Sequence, residues 1–190
     1  MVIEITPYKN EWTQEFQQIA AVLRQALGAL ALRIDHIGST AVPGLDAKDI
    51  IDIQVTVSAL EEEVVRRLTD AGFTHREDIT GDHLPPGWDD DGAGWQKWLF
   101  KPPPGWRAVN LHVRVEGAPN QRYPLLFREY LRSHPLTAQA YARLKRMLAA
   151  HLPHERHLYS DVKDPAVDLI YLAAEEWAAQ TGWQIPPPDA

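Results

Sequence analysis

The sequence predicts a single domain of the α+β class, in which a sheet-forming part is followed by a helical part. Over about the first 120 residues, short segments of alternating apolar and polar residues are separated by glycine- and proline-rich turns, a pattern typical of β-strands. From Arg122 onward, apolar residues recur at three- and four-residue spacing, a pattern typical of helices. We therefore expect an α/β core over about 1–120, a helical part over about 121–180, and an extended, frayed tail over 181–190.

The composition limits the classes of function. Of the 190 residues, 45% are hydrophobic, enough for the core of one domain. The net charge of −7 argues against general nucleic-acid binding, which favours basic surfaces. The absence of cysteine excludes disulfides, thiolate zinc sites and cysteine nucleophiles, and it favours a cytoplasmic location. The polar N-terminal residues do not resemble a signal peptide, and no apolar run approaches the roughly 18 residues of a membrane span, so we expect no membrane partner.

The first third of the chain predicts one helix and two long strands. Residues 2–5 form either a short edge strand or an extended lead-in. Apolar residues at helical spacing predict a helix from the N-cap Asn10 to Leu27, ended by Gly28. Alternating residues predict strands over 32–37 and over 49–57.

The turn between these strands predicts an anion site. Gly38 allows the backbone to turn sharply and to approach a ligand closely. Ser39 and Thr40 can cap a short helix whose free N–H groups would face an anion. Asp52 follows on the polar face of the second strand, and Gln54 lies two residues further on the same face.

The next segment predicts a helix, a short strand and a long loop. Ser58 is the expected N-cap of a helix that ends near Ala71, and residues 73–76 form a short strand. Residues 77–94 have little to bury and form either a lid or a surface insertion. Within this loop, His83 and the acidic run 89–91 could bind metal in isolation, although nothing in the sequence fixes their geometry.

Residues 95–101 and 107–115 predict a pair of strands joined by Pro102-Pro103-Pro104-Gly105. His112 lies on the polar face of the second of these strands. If this strand belongs to the same sheet as the Asp52 strand, Asp52, Gln54 and His112 line one cleft. His112 could bind a metal or act as a general base, or it could hydrogen-bond within a partly buried polar patch.

Three helices are expected over 123–132, over 135–151, and from about 154 to beyond 177. Two of them carry phenol and cation pairs on one face. Tyr141 and Lys145 lie four residues apart, and Arg156, Tyr159 and Lys163 lie at positions i, i+3 and i+7. These side chains either bind a phosphate or form surface ion pairs.

Several ordered motifs resemble the GrpB family, also called UPF0157, of the nucleotidyltransferase (DNA polymerase beta-like) superfamily. The resemblance covers Tyr8 to about Trp177. Its motifs are GSTAVPGL-x-AK-x-IIDI from Gly38, NLHV around His112, FREYLRSHP from Phe127, Y-x-x-LK from Tyr141 and R-x-x-Y-x-x-x-K from Arg156.

The resemblance implies a nucleotidyltransferase-like mixed sheet with packed helices, together with a phosphate and metal site. The implied phosphate-binding or nucleotide-binding residues are Gly38, Ser39, Lys48, Lys145, Arg156, Tyr159 and Lys163. The superfamily holds Mg²⁺ or Mn²⁺ with two carboxylates on one strand and often a third on a later strand. Here Asp52, Gln54 and His112 are the candidate metal ligands, and Asp52 and His112 are the candidate catalytic residues, so the acidic set is incomplete.

Two functions follow as hypotheses. The first is a nucleotidyltransferase that moves a nucleotidyl group from a nucleoside triphosphate to a small molecule or protein. The second is a catalytically inactive nucleotide-binding or accessory module with a link to coenzyme A metabolism, since some family members are fused to dephospho-CoA kinase. In both, the partner is a nucleotide or another phosphorylated small molecule. The sequence leaves the acceptor and the oligomeric state open.

Overall fold

The computed structural model describes residues 2–88 and 93–190, and over these residues it contains a five-stranded sheet and five α-helices. The α+β class is therefore confirmed. The strands are β1 (Arg33–Ile37), β2 (Ile51–Val57), β3 (Thr74–His75), β4 (Trp98–Lys101) and β5 (Val109–Val115). The helices are α1 (Glu11–Leu27), α2 (Glu62–Asp70), α3 (Pro119–Ser133), α4 (Pro135–His151) and α5 (Arg156–Thr181).

The sheet is mixed, with the strand order β1-β2-β5-β4-β3. Its central pair, β2 and β5, is parallel, and the other neighbours are antiparallel. In the central register, Asp52 lies beside Asn110 and Gln54 lies beside His112. The prediction that the Asp52 and His112 strands share a sheet is therefore confirmed.

The two faces of the sheet are covered differently. The apolar residues of β2 and β5 pack against α1 and α2 in one hydrophobic core that includes Trp12, Phe16 and Leu68. Helices α3, α4 and α5 form a second core with one another, and Val42 and Leu45 of the β1–β2 connection join it. Because α3 also contacts the polar face through Gln54, whose amide donates to the Gln121 carbonyl at 3.0 Å, the helical part stands over the polar side of the sheet.

Several predicted boundaries move. Helix α2 begins after Glu61, so Ser58 is not its N-cap, and Trp95 lies in a 3₁₀ turn before β4. Helix α3 begins four residues earlier than Tyr123, because Pro119 occupies its first turn, where a missing N–H costs nothing. Residues 2–5 form no strand; Ile3 donates its backbone N–H to the Pro153 carbonyl, and Thr6 pairs with Ala47.

The C-terminal tail is extended, as predicted, but it is not frayed. Ala190 and Ile34 exchange backbone hydrogen bonds, which places the tail along the outer side of β1. Asp189 accepts the backbone N–H of His36 at 2.9 Å and pairs with the buried guanidinium of Arg128. Sequence composition gave no sign of these contacts because they depend on partners more than 60 residues away.

The described part of the 77–94 loop is anchored to the sheet. Gly81 pairs with Gln96, and Asp82 accepts hydrogen bonds from Arg114 at 2.8 and 3.0 Å and from Asn120 at 3.1 Å. His83 bonds to Asp168 of α5 at 2.9 Å, and the acidic run 89–91 lies outside the described residues. Among the helices of the described ranges, none is long and apolar enough to cross a membrane.

Candidate functional site

A cavity of about 500 Å³ lies between the polar face of the sheet and the helical part. Its size is that of a small-molecule site. The sheet and the β1–β2 connection supply one wall, and α3, α4 and α5 supply the other. The polar residues that line it are Ser39, Thr40, Lys48, Asp52, Lys97, Asn110, His112, Tyr123, Tyr141, Lys145, Ser160, Lys163 and Asp164.

The predicted Gly38-Ser39 turn lies directly against Asp52. Gly38 has φ +71°, a conformation that side-chain-bearing residues rarely adopt, and it begins a 3₁₀ turn over Ser39–Ala41. A Cβ at position 38 would lie 2.5 Å from Oδ2 of Asp52. Glycine is thus required here both by the backbone angle and by the carboxylate that packs against it.

Lys145 joins the helical part to the same turn. Its ammonium donates hydrogen bonds to Oγ of Ser39 at 2.8 Å and to the Asp46 carbonyl at 2.6 Å, and it lies 4.6 Å from the centre of the Tyr141 ring. Burial lowers the pKa of Lys145 to about 7, with Lys163 and Lys48 adding repulsion and Asp46 opposing the shift. The Tyr141 hydroxyl also hydrogen-bonds to Ser39. An amine whose pKa lies well below the usual value for lysine is therefore present at the predicted phosphate turn.

Asp52 is held by its neighbour in the parallel pair. Asn110 donates from Nδ2 to Oδ1 of Asp52 at 2.7 Å, while Oδ1 of Asn110 accepts a hydrogen bond from Lys101. Burial raises the pKa of Asp52, although the Asn110 bond and the charges of Lys48 and Lys101 lower it in part. Oδ2, which faces Gly38, is the oxygen left to receive a cation or a ligand group.

His112 lines the cavity and Gln54 does not. Burial and the charge of Arg114 lower the pKa of His112 well below its usual value, so the ring is neutral and is a weak general base. Gln54 is fully buried; its Oε1 accepts from Arg114 at 2.8 Å and its amide donates to Gln121. A metal at Gln54 would have to displace the guanidinium, so the geometry argues against Gln54 as a ligand.

The remaining predicted residues divide between two places. Lys163 lines the cavity and pairs with Asp164, and Lys48 lies 4.9 Å from the Tyr159 ring at the cavity edge. Arg156 and Tyr159 do not line the cavity. They lie in a neighbouring groove, and among the described residues Lys48 and Ser160 line both the groove and the cavity.

Sequence reasoning did not assign to the site five of the described polar residues that line the cavity, namely Lys97, Asn110, Tyr123, Ser160 and Asp164. Asn110 is two residues before His112 on the same face, a spacing that could have identified it. Asp164 follows Lys163 directly and brings a second carboxylate to the cavity. Tyr123 comes from the first turns of α3 and stacks on Tyr171 with 4.0 Å between ring centres, which no local pattern predicts.

The donor set fits one divalent cation rather than two. Over residues 2–88 and 93–190, no group of three His, Asp or Glu side chains is placed to hold a metal ion. Mg²⁺ commonly binds through one or two carboxylates, with water and substrate phosphate oxygens completing the shell. Asp52 fits this arrangement, and the neutral His112 ring, whose Nδ1 lies 3.5 Å from the Arg114 guanidinium, is on the adjacent strand.

Comparison with known proteins places the chain in a family. Residues 2–172 match the family model described as GrpB protein. A dephospho-CoA kinase from Mycolicibacterium paratuberculosis is 36% identical over 96% of this chain but only 48% of its own length, so the chain spans about half of that relative. The UPF0157 protein BH1888 from Halalkalibacterium halodurans is 36% identical over 88% of this chain and 80% of its own.

A solved structure supports the same assignment. The crystal structure of GrpB from Enterococcus faecalis matches 92% of this chain and 99% of its own, with 28% sequence identity and a TM-score of 0.76. The family predicted from the ordered motifs is therefore confirmed, and the chain belongs to the GrpB family.

Proposed function

We propose that this protein binds a nucleoside triphosphate in the cavity and transfers its nucleotidyl group to a small acceptor. The observation that carries the proposal is the meeting of the Gly38-Ser39 turn, Asp52 and Lys145 in one cavity of suitable size. A backbone turn, a cation and a metal-binding carboxylate are the parts that phosphoryl and nucleotidyl transfer require.

In this proposal the 3₁₀ turn and Ser39 hold the phosphates, and Lys145 and Lys163 neutralise their charge. Asp52, whose carboxylate is oriented by the hydrogen bond from Asn110, would hold a Mg²⁺ or Mn²⁺ ion, and His112 would be an additional ligand. That ion, when bound, would supply charge neutralisation at the phosphates.

The transfer step forms a bond from the acceptor oxygen to the α-phosphorus. It breaks the bond between that phosphorus and the oxygen leading to the β-phosphate, so pyrophosphate leaves with the electron pair. The acceptor hydroxyl proton passes to water, because the low pKa of His112 makes its ring a poor base. Within this step the protein positions the phosphates and the acceptor.

A specific observation also supports the second candidate, a nucleotide-binding or accessory module without catalysis. Gln54, which stands where the superfamily has its second strand carboxylate, is committed to Arg114 and Gln121. The relation to half of a dephospho-CoA kinase makes coenzyme A metabolism the setting to test first for this module.

Metal-dependent nucleotide binding tests the site under both candidates. In the absence of metal, Asp52→Asn should strengthen binding of a nucleoside triphosphate, because it removes a negative charge beside the phosphates. With Mg²⁺ present, the same change should weaken binding at least about tenfold. Ser39→Ala should weaken binding under both conditions, and the exposed Asp70→Asn should change neither. Unchanged affinity in both site variants would show that the site is assigned wrongly.

Turnover separates the two candidates. Each nucleoside triphosphate is incubated with Mg²⁺ or Mn²⁺ and candidate acceptors, including dephospho-coenzyme A, and pyrophosphate release is followed together with the acceptor mass. Transfer predicts pyrophosphate in step with a nucleotidyl mass increase, lost in Asp52→Asn. Nucleotide binding without either signal would leave the binding module as the function.

A further inference from the structure

A cationic groove runs beside the cavity, on the far side of Lys48. The groove, of about 420 Å³, is lined by the cations Lys48, Arg76, Lys101 and Arg156, with Leu99 and Tyr159 among its other walls. Lys48 and Ser160 are the residues of the described ranges that line both the groove and the cavity. Four cationic side chains thus converge on one groove in a chain whose net charge is −7.

These cations are poorly compensated. In the described parts of the chain, Arg76 pairs with Asp78 at 2.7 Å, whereas Lys48, Lys101 and Arg156 form no ion pair with a carboxylate. Burial lowers the pKa of Lys101, and the charges of Arg76 and Arg156 lower it further, while Asp52 opposes the shift. Lys48 is shifted in the same direction by burial and by Lys163, Arg156 and Lys101. A bound anion would relieve this repulsion.

The groove also lies close to Asp52, the carboxylate proposed to hold the metal ion. Lys101 donates to Asn110, which in turn donates to Asp52, so only two side chains separate the groove from the proposed metal carboxylate. Lys48 forms the boundary between groove and cavity, and its pKa responds to the charge of Asp52. An anion in the groove would therefore lie across Lys48 from Asp52, and a molecule that extends past Lys48 into the cavity would approach Asp52.

We propose that the cationic groove binds the phosphate group of a small phosphorylated acceptor, whose hydroxyl then faces Asp52 and the nucleotide. This inference rests on the proposed function, because it assigns the second substrate of the same site. It assigns Arg156, which the family resemblance implies as a phosphate-binding or nucleotide-binding residue, to the acceptor instead of the nucleotide. The cavity retains Lys145 and Lys163 for the triphosphate.

The short groove and the acidic chain favour a small molecule over a polynucleotide. A groove of about 420 Å³ holds a drug-sized molecule, and a polynucleotide site requires cations along several successive phosphates. Leu99, Ile79 and Tyr159 add apolar surface for the carbon part of a phosphate ester.

Titration with inorganic phosphate, followed by amide chemical shifts in heteronuclear NMR, tests the proposal. The wild type should show two saturable sites, one reported by Ser39 and one by Leu99. Arg156→Gln combined with Arg76→Gln should weaken the Leu99 site about tenfold and leave the Ser39 site unchanged. Lys145→Met should do the reverse. Arg66→Gln, an exposed cation on α2, is the matched control and should change neither.

The outcomes separate this inference from the proposed function. Loss of the Leu99 site in the double variant, with unchanged nucleoside triphosphate affinity, supports the acceptor groove. If the double variant weakens triphosphate but not monophosphate binding, the groove holds the triphosphate tail and the inference is wrong. It is also wrong if the double variant leaves phosphate binding intact or loses only binding of a short RNA. Failure of any nucleotide to bind the wild type would instead reject the proposed function.

Discussion

Oγ of Ser39 accepts a 2.8 Å hydrogen bond from the ammonium of Lys145, a residue 106 positions later in the chain. This bond joins the sheet-forming part to the helical part at the proposed phosphate site. Burial lowers the pKa of Lys145 to about 7, so the charge at the proposed phosphate site changes when Lys145 loses its proton.

Nucleotide affinity should therefore depend on pH through Lys145. The cationic amine binds phosphate, so affinity should fall as pH rises above 7, by up to about tenfold per pH unit. Titration calorimetry at pH 6 to 9 should show this decline together with proton uptake. Lys145→Met should remove the decline, and Arg143→Gln, an exposed change on the same helix, should retain it. A steep decline that persists in Lys145→Met would assign it to another group.

The same shift predicts how Lys145 affects folding. A lysine whose folded pKa is depressed contributes stability above its ordinary pKa of 10.5, and this contribution is lost as pH falls to about 7. In the ligand-free protein, Lys145→Met should therefore increase the free energy of unfolding near pH 7 more than near pH 10. Urea unfolding at both values measures the difference, and an equal change at both would contradict the buried charge.

Gly38→Ala should destabilise the fold because its Cβ would overlap Oδ2 of Asp52. The matched control is Gly28→Ala, since Gly28 also has a positive φ, +56°, but has open space around a Cβ. Both changes carry backbone strain, and the overlap should add roughly 1–3 kcal/mol at position 38 alone. Chemical denaturation of both variants measures the difference. Equal losses would show that Asp52 moves aside freely.

Asp52→Asn should stabilise the protein at neutral pH while impairing metal-dependent binding. Because the folded pKa of Asp52 is raised, its contribution to stability is present below the ordinary value of 3.8 and lost as pH rises through the folded value. The melting temperature should thus rise at pH 7 and stay nearly constant at pH 3.

Asp49 provides the opposite control. Burial raises its pKa, but hydrogen bonds from Lys9 and Trp12 and the charge of Arg107 lower it by more. Its contribution is therefore lost as pH falls through its folded value, and Asp49→Asn should lower the melting temperature at pH 7. If the melting temperature at pH 7 fell in both Asp52→Asn and Asp49→Asn, the prediction that the charged form of Asp52 destabilises the fold would be wrong.

Asn110→Ala should weaken Mg²⁺-dependent nucleotide binding about 10- to 100-fold, the usual effect of removing a group that orients a metal ligand. Without metal, affinity should change little. Binding measured with and without Mg²⁺ separates the two effects, and an equal loss under both conditions would mean that Asn110 contacts the nucleotide itself.

Asp189→Asn should destabilise the docked tail. It weakens the acceptor for the Arg128 guanidinium, which is 1% exposed, and for the His36 N–H, so we expect a loss of about 1–3 kcal/mol. Asp70→Asn, which removes an exposed ion pair with Arg66, should cost less than about 0.5 kcal/mol. Urea midpoints compare the two, and equal midpoints would show that the tail contributes little.

The sequence predicted the helices and strands well because their formation depends mainly on the spacing of apolar residues near one another in the chain. The period of two along a strand correctly placed Asp52 and Gln54 on one face, and α4 has its predicted bounds. The same rule could not show that both ends of the Gln54 amide are already hydrogen-bonded, because the partners, Arg114 and Gln121, come from β5 and α3. Strand neighbours and side-chain partners depend on non-local contacts.

Helical spacing also predicted a shared face but not a shared site. Arg156 and Lys163 lie on one side of α5, yet seven residues advance a helix by about 10 Å, which is longer than a phosphate group. Lys163 therefore reaches the cavity while Arg156 reaches the groove. The sequence predicted that Arg156 and Lys163 lie on the same side of α5. The structure was needed to show which pocket each side chain reaches.

The docked tail also affects how this sheet can meet other chains. An open edge strand offers unpaired N–H and C=O groups to any extended peptide, and proteins limit this risk by covering or shortening such strands. Here the tail covers β1, and the opposite edge, β3, has only two residues. Association through strand addition is thereby disfavoured at both sides of the sheet.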